Sequence, residues 1–174
     1  MQHLTPADYT RQPWKNGLGT TTELWRLERN GKLLVRISQA AVVEDGPFSI
    51  FPGIERNLTV ISGPGFRLTG DGIDLRCGLL QPVAFPGAIA VTASETQDQP
   101  SDDFNVMTAQ GLPLPKVTVA RNETLVAGGT LALFALEACT ANSRELAPHD
   151  LVLARGPVTL TGYGQVIAVR LFGL

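Results

Sequence analysis

The stretch LWRLERNGKLLVRISQAAVV, residues 24–43, decides how the fold is read. Residues 24–28 read as a strand, Asn30-Gly31 as the tight turn of a β-hairpin, and residues 33–43 as the return strand. Asn-Gly is a strong hairpin signal because both residues tolerate the left-handed backbone that a two-residue turn needs. Along the return strand, Val35 and Ile37 point to one face while Arg36 and Ser38 point to the other. The hairpin thus sets a guanidinium and a hydroxyl side by side on an otherwise apolar strand.

Outward from the hairpin the same grammar recurs. Leu58 and Val60 share a face and Thr59 takes the other; Phe66 and Leu68 repeat the alternation after Gly63-Pro64-Gly65. Asp71-Gly72 predicts a second hairpin, leading into Ile73, Leu75 and Cys77 on one face. Further strands are expected over 83–85, 90–93, 104–108, 116–120, 131–138, 151–154, 158–161 and 165–172. Eighteen glycines and twelve prolines punctuate the chain. Only residues 142–146 read as a helical turn. The expectation is an all-β chain built as an antiparallel sandwich or barrel.

Two segments hint at duplication. Leu80-Gln81-Pro82-Val83 leads to Pro86-Gly87, and Leu146-Ala147-Pro148-His149 leads to Gly156-Pro157. The pattern predicts an N-terminal half over 1–100 and a C-terminal half over 101–174, packed as a single unit. Chance likeness between Gly/Pro-rich segments stays open as the alternative.

Composition narrows the function classes. The 174 residues are 44% hydrophobic and 17% charged, enough for a packed interior. A net charge of −2 and the lack of a basic cluster argue against a nucleic-acid partner. The longest apolar run, LALFAL at 131–136, is far short of the roughly 20 residues a spanning helix needs, so no membrane partner is expected. The start, MQHLTPADYTRQPW, lacks a basic segment followed by an apolar one, and Cys77 and Cys139 show no ligand spacing. A cytoplasmic address with reduced thiols is the expectation. A homodimer is left open.

Catalytic and metal chemistry find few candidates. His3 and His149 are the two histidines, so a three-histidine centre is excluded. Asp102-Asp103 and Glu44-Asp45 read as turn residues, and a chain free of metal and cofactor is expected. No Gly-x-Ser-x-Gly elbow occurs, and Gly17-Leu18-Gly19 lacks the lysine of a phosphate-binding loop.

Polar residues planted in apolar strands are more informative. Arg36 beside Ser38 either grips a carboxylate through paired hydrogen bonds or belongs to a solvated outer face with an ion pair, the commoner setting for a lone arginine. Arg56 follows a loop that holds Phe48, Ser49 and Phe51, either a barrel plug or an aromatic rim. Asn105 shares a face with Asp103 and Met107, as a structural hub or as a ligand contact. The segment WKNGLGTTTE, 14–23, is either a structural turn or a loop whose Lys15 and Asn16 supply donors to a ligand, with Thr21 and Glu23 on one strand face.

These blocks carry a family resemblance. Trp14-Lys15-Asn16-Gly17-x-Gly19-x-Thr21-x-Glu23 closely resembles the opening motif of the HutD/Ves family. Arg36-Ile37-Ser38-x-Ala40, then Asp45-Gly46-Pro47-Phe48-Ser49-x-Phe51-x-Gly53-x-x-Arg56, then Asp103-Phe104-Asn105-Val106-Met107 agree in order. Leu18 stands where the family usually has a third glycine, and Val35 where it usually has an aromatic. The resemblance implies a cupin-type barrel, duplicated, and a regulatory or ligand-sensing role in histidine utilisation. Urocanate, formiminoglutamate or formylglutamate are the ligands it implies. The competing expectation is an enzyme, a hydrolase or isomerase of such a carboxylate with Glu23 as general base.

Overall fold

The computed structural model describes residues 1–13, 20–126 and 128–174. Lys15 and Asn16, with the rest of the 14–19 segment, lie outside the described residues. Among those described the chain is all-β, apart from one 3-10 turn over Pro6–Asp8. It divides into two compact units, Thr10–Gly111 and a second formed by Met1–Tyr9 with Leu112–Leu174.

After β1 (Gln2–Leu4), the first unit runs through β2 (Thr10–Pro13), β3 (Thr20–Arg29), β4 (Lys32–Val42), β5 (Gly46–Pro47) and β6 (Ile54–Ser62). It continues with β7 (Phe66–Gly70), β8 (Ile73–Cys77), β9 (Val83–Pro86), β10 (Val91–Ser94) and β11 (Ser101–Ala109). A six-stranded sheet has the order β2-β3-β4-β11-β6-β9, and a four-stranded sheet the order β5-β10-β7-β8. Its apolar core gathers Leu58 and Val60 of β6 with Phe66 and Leu68 of β7, Phe85 of β9 and Val91 of β10.

The remaining strands are β12 (Lys116–Ala120), β13 (Thr124–Leu125), β14 (Thr130–Ala135), β15 (Cys139–Ala141), β16 (Arg144–Leu146), β17 (Leu151–Ala154), β18 (Val158–Thr161) and β19 (Val166–Leu171). They form sheets of order β1-β17-β14-β19-β12 and β13-β18-β15-β16. Strand for strand this repeats the first unit: β4-β11-β6-β9 becomes β12-β19-β14-β17, and β5-β10-β7-β8 becomes β13-β18-β15-β16. The fold is a cupin-type antiparallel β architecture present twice. The two similar segments noted in the sequence stand at matching places, one ahead of β9 and the other ahead of β17.

Three expectations are revised. The division at residue 100 falls just before β11, which pairs with both β4 and β6, so the first unit extends to Gly111. Likewise β1 pairs with β17 and belongs with the C-terminal strands. Residues 142–146 form no helical turn: Asn142 and Ser143, at φ 47° and 66°, turn the β15–β16 hairpin. Asp102-Asp103 is no turn either; both residues lie within β11. The central hairpin forms as expected, with Asn30 and Gly31 at φ 52° and 71°.

Candidate functional site

Strand register assembles the site. In the six-stranded sheet β11 lies between β4 and β6, and opposing residues share a face. Arg36 faces Met107, which faces Arg56; Ser38 faces Asn105, which faces Leu58; Ala40 faces Asp103, which faces Val60. Two strand spacings separate the arginines along the first row, about 10 Å of sheet. Val35 and Ile37, like Phe104 and Val106, are buried on the opposite face.

The inward rows line a cavity of about 630 Å³. Thr21, Arg36, Ser38, Phe48, Ser49, Phe51, Arg56 and Asn105 all reach it, so most of the residues singled out in the sequence meet in one place. Glu23 does not line it; its carboxylate stands behind Arg36, accepting from Nε at 2.7 Å. Arg26 approaches the same carboxylate oxygen at 3.6 Å. Arg36 Nη2 also donates to Gln12 Oε1 at 3.3 Å. An ion pair on one edge of the guanidinium orients its fork.

Arg56, two strands away in the same row, is only 7% exposed. Its guanidinium carbon lies 5.3 Å from the Phe48 ring, 5.3 Å from Phe51 and 5.0 Å from Phe85. A cation ringed by aromatic faces gains quadrupole attraction but loses its hydration. Nη2 donates to Asn105 Oδ1 at 3.2 Å and Nη1 to the Ser49 carbonyl at 3.4 Å. Nε has no hydrogen-bond partner among the described residues. Desolvation drops the Arg56 pKa to about 10, against the pull of the Asp103 carboxylate. The side chain therefore stays charged at neutral pH.

The loop between β5 and β6 keeps those rings in place. Phe51 N–H donates to the Gly87 carbonyl at 2.7 Å, and Gly87 N–H donates to the Ile54 carbonyl at 2.7 Å. A Cβ on Gly87 would lie 2.8 Å from both the Ile54 and Phe51 carbonyl oxygens, which is why glycine stands there.

Asn105 is hub and lining residue at once. Its Nδ2 donates to Asp103 Oδ1 while its Oδ1 accepts from Arg56. Burial pushes Asp103, 2% exposed, up to about 7, against the opposing charge of Arg56 and the Asn105 hydrogen bond. Sequence reasoning missed Asp103, Met107, Gln12 and Phe85 as parts of the site. The alternation that placed Asn105 also places residues 103 and 107; nothing local pointed to Gln12 or Phe85. Among the described residues no group of three or more His, Cys, Asp or Glu converges as a metal centre would require.

The second unit offers a contrast. The inner faces of β14 and β19 carry Leu131, Leu133, Ala135, Val166 and Ala168, all in one apolar cluster.

With this arrangement in view, comparison with known proteins is informative: the sequence model of HutD matches residues 6–168. The chain belongs to the HutD family. A Pseudomonas putida relative, described as an uncharacterized 21.2 kDa protein in the hutC 3′ region, is 45% identical over 74 residues, covering 41% of this chain and 39% of that protein. The solved structure of a conserved protein of unknown function from Pseudomonas aeruginosa is 33% identical, with a TM-score of 0.85 over 99% of this chain and 98% of that one. HutD from Pseudomonas fluorescens, described as solved in a formate condition, is 29% identical with a TM-score of 0.84, each chain covered to 99%. The family is thereby linked to a histidine-utilisation locus. Beyond it, a 7S globulin and a bacterial pirin, 8% and 7% identical, share the fold alone. Among the described residues no helix is long and apolar enough to cross a membrane.

Proposed function

We propose that this HutD-family chain is a metal-free protein that binds a small carboxylate and has a regulatory or sensing role in histidine utilisation. Urocanate, formiminoglutamate and formylglutamate are the candidate ligands, each carrying the group that a guanidinium fork grips best. The observation that carries this reading is Arg56. It is buried among three phenylalanines, with Nε unbonded and no carboxylate within ion-pair distance among the described residues. A buried charge without a direct counter-charge costs several kcal/mol, and an anionic guest supplies what is missing. Arg36, oriented by Glu23, offers a second fork across the same cavity. Formate, named in the description of the Pseudomonas fluorescens HutD structure, is the smallest member of this ligand class.

The enzyme reading with Glu23 as general base draws less support. That carboxylate is held by Arg36 and approached by Arg26, and it does not line the cavity. The regulatory role rests on the family's link to the hut locus.

Thermal melts against urocanate, formiminoglutamate, formylglutamate, histidine and glutamate test the proposal. A ligand at 100 times its dissociation constant raises stability by about 2.7 kcal/mol. No shift with any of them at millimolar concentration overturns it. Turnover of one of these compounds by pure protein favours the enzyme instead. Elemental analysis finding about one transition-metal ion per chain refutes the metal-free part.

A further inference from the structure

The cavity holds one ionisable group beyond those assigned to ligand contact. Asp103 is 2% exposed, lines the same cavity as Arg36 and Arg56, and accepts a hydrogen bond from Asn105 Nδ2. Asn105 in turn accepts from Arg56 Nη2 at 3.2 Å. An amide can do both because it presents a donor and an acceptor side by side. Asp103, Asn105 and Arg56 therefore form a relay that runs from a carboxyl group to a guanidinium, whose buried Nε has no hydrogen-bond partner among the described residues.

We propose that Asp103 is a ligand-linked proton site: the cavity takes up its anion together with one proton from solvent, which the Asp103 carboxyl holds. The inference rests on the carboxylate-binding reading and names how that binding is regulated.

Electrostatics gives the reason. Ionised, Asp103 is the nearest compensation that Arg56 has, through Asn105. An arriving anion addresses the same guanidinium and sets a second negative charge beside a carboxyl that is itself buried, where like charges repel more strongly than in bulk. Protonation of Asp103 removes that repulsion, and the resulting O–H becomes a donor on the cavity wall.

The groups around Asp103 fit this role. From β6, Arg56 favours its ionised form; on its own strand, Asp102 opposes it, and burial opposes it most. From β4, Arg36 lines the cavity with its charge matched by Glu23. From β8, the Cys77 thiol is itself held up to about 12 by burial and by Asp103, so it stays neutral. With burial pushing Asp103 to about 7, its proton exchanges near neutral pH, where a sensor can use it.

The test uses the full chain with formate and formylglutamate, whose carboxylates do not titrate between pH 6 and pH 8.5. Calorimetric titrations are run across that range in buffers of differing ionisation enthalpy. Above neutral pH, Kd is expected to rise by up to about tenfold per pH unit, with proton uptake approaching one per anion bound. In Asp103→Asn both the pH dependence and the uptake disappear. Should that variant not fold or not bind, proton uptake by the parent in paired buffers decides alone. Binding by the parent with constant Kd and no uptake overturns this inference and leaves the carboxylate reading standing. Failure of both anions to bind at pH 6 removes the carboxylate reading, and the inference with it.

Discussion

Replacing Arg56 with lysine separates charge from geometry. The ammonium keeps the positive charge inside the ring of Phe48, Phe51 and Phe85, so cation–π attraction survives in large part. What is lost is the planar fork. A single nitrogen now stands where Nη2 reached Asn105 at 3.2 Å and Nη1 the Ser49 carbonyl at 3.4 Å, and the unpaired Nε is gone. A lost hydrogen bond to a charged group is worth about 1.5–3 kcal/mol, or about a 10- to 150-fold rise in Kd. Calorimetric titration with formylglutamate and urocanate measures it, with circular dichroism to verify folding and Arg121→Lys, an exposed position, as the control. Arg36→Lys is expected to behave alike, since Arg36 also presents a fork, one edge of which is held by Glu23. If both site variants fold and bind within about twofold of the parent, a change worth only about 0.4 kcal/mol, the guanidinium forks are not what holds the anion.

Two further outcomes follow from the same geometry. Asp103 is raised from 3.8 to about 7, so its contribution to stability is complete below about pH 4 and is lost as pH climbs through about 7. Relative to Asp103→Asn, the parent should therefore lose stability over that interval, by at most about 1.4 kcal/mol per pH unit, and then level off; parallel melting curves from pH 4 to 8 would contradict the assignment. Gly87→Ala drives a methyl group to 2.8 Å from two backbone oxygens and should destabilise by about 1–3 kcal/mol while weakening anion binding through the displaced Phe51 loop. Unchanged melting and binding in that variant would show that the loop does not depend on Gly87.

The sequence made legible whatever depends on alternation within a strand. The Asn30-Gly31 turn and the apolar spacing of residues 33–43 were sufficient to put Arg36 and Ser38 on one face, and β11 did the same for Asn105. That β11 lies between β4 and β6, so that Arg36, Asn105 and Arg56 share a cavity, depends on pairing between strands distant in the chain, which no local pattern encodes. Asp103 reads as a turn residue because aspartate disfavours strands; burial beside Asn105 and Arg56 overrides that preference. Residues 142–146 misled because the β15 and β16 strands have three residues each, too short to display a period. The two-residue strands β5 and β13 were invisible for the same reason.

The repeated topology gives the protein an internal control of its own. Where the first barrel sets Arg56, Asn105 and Asp103 on its inner face, the second sets leucine, alanine and valine, and its strand order is unchanged. The polar trio is thus no requirement of the architecture; the same scaffold closes without it. Exchanging buried ionic groups for well-packed apolar ones is commonly neutral or stabilising by about 1–4 kcal/mol. A first barrel carrying Arg56→Leu, Asn105→Ala and Asp103→Val together should therefore fold at least as firmly as the parent and be blind to anions. The chain bears, in one copy of its fold, the stability it forgoes in the other to keep a polar interior.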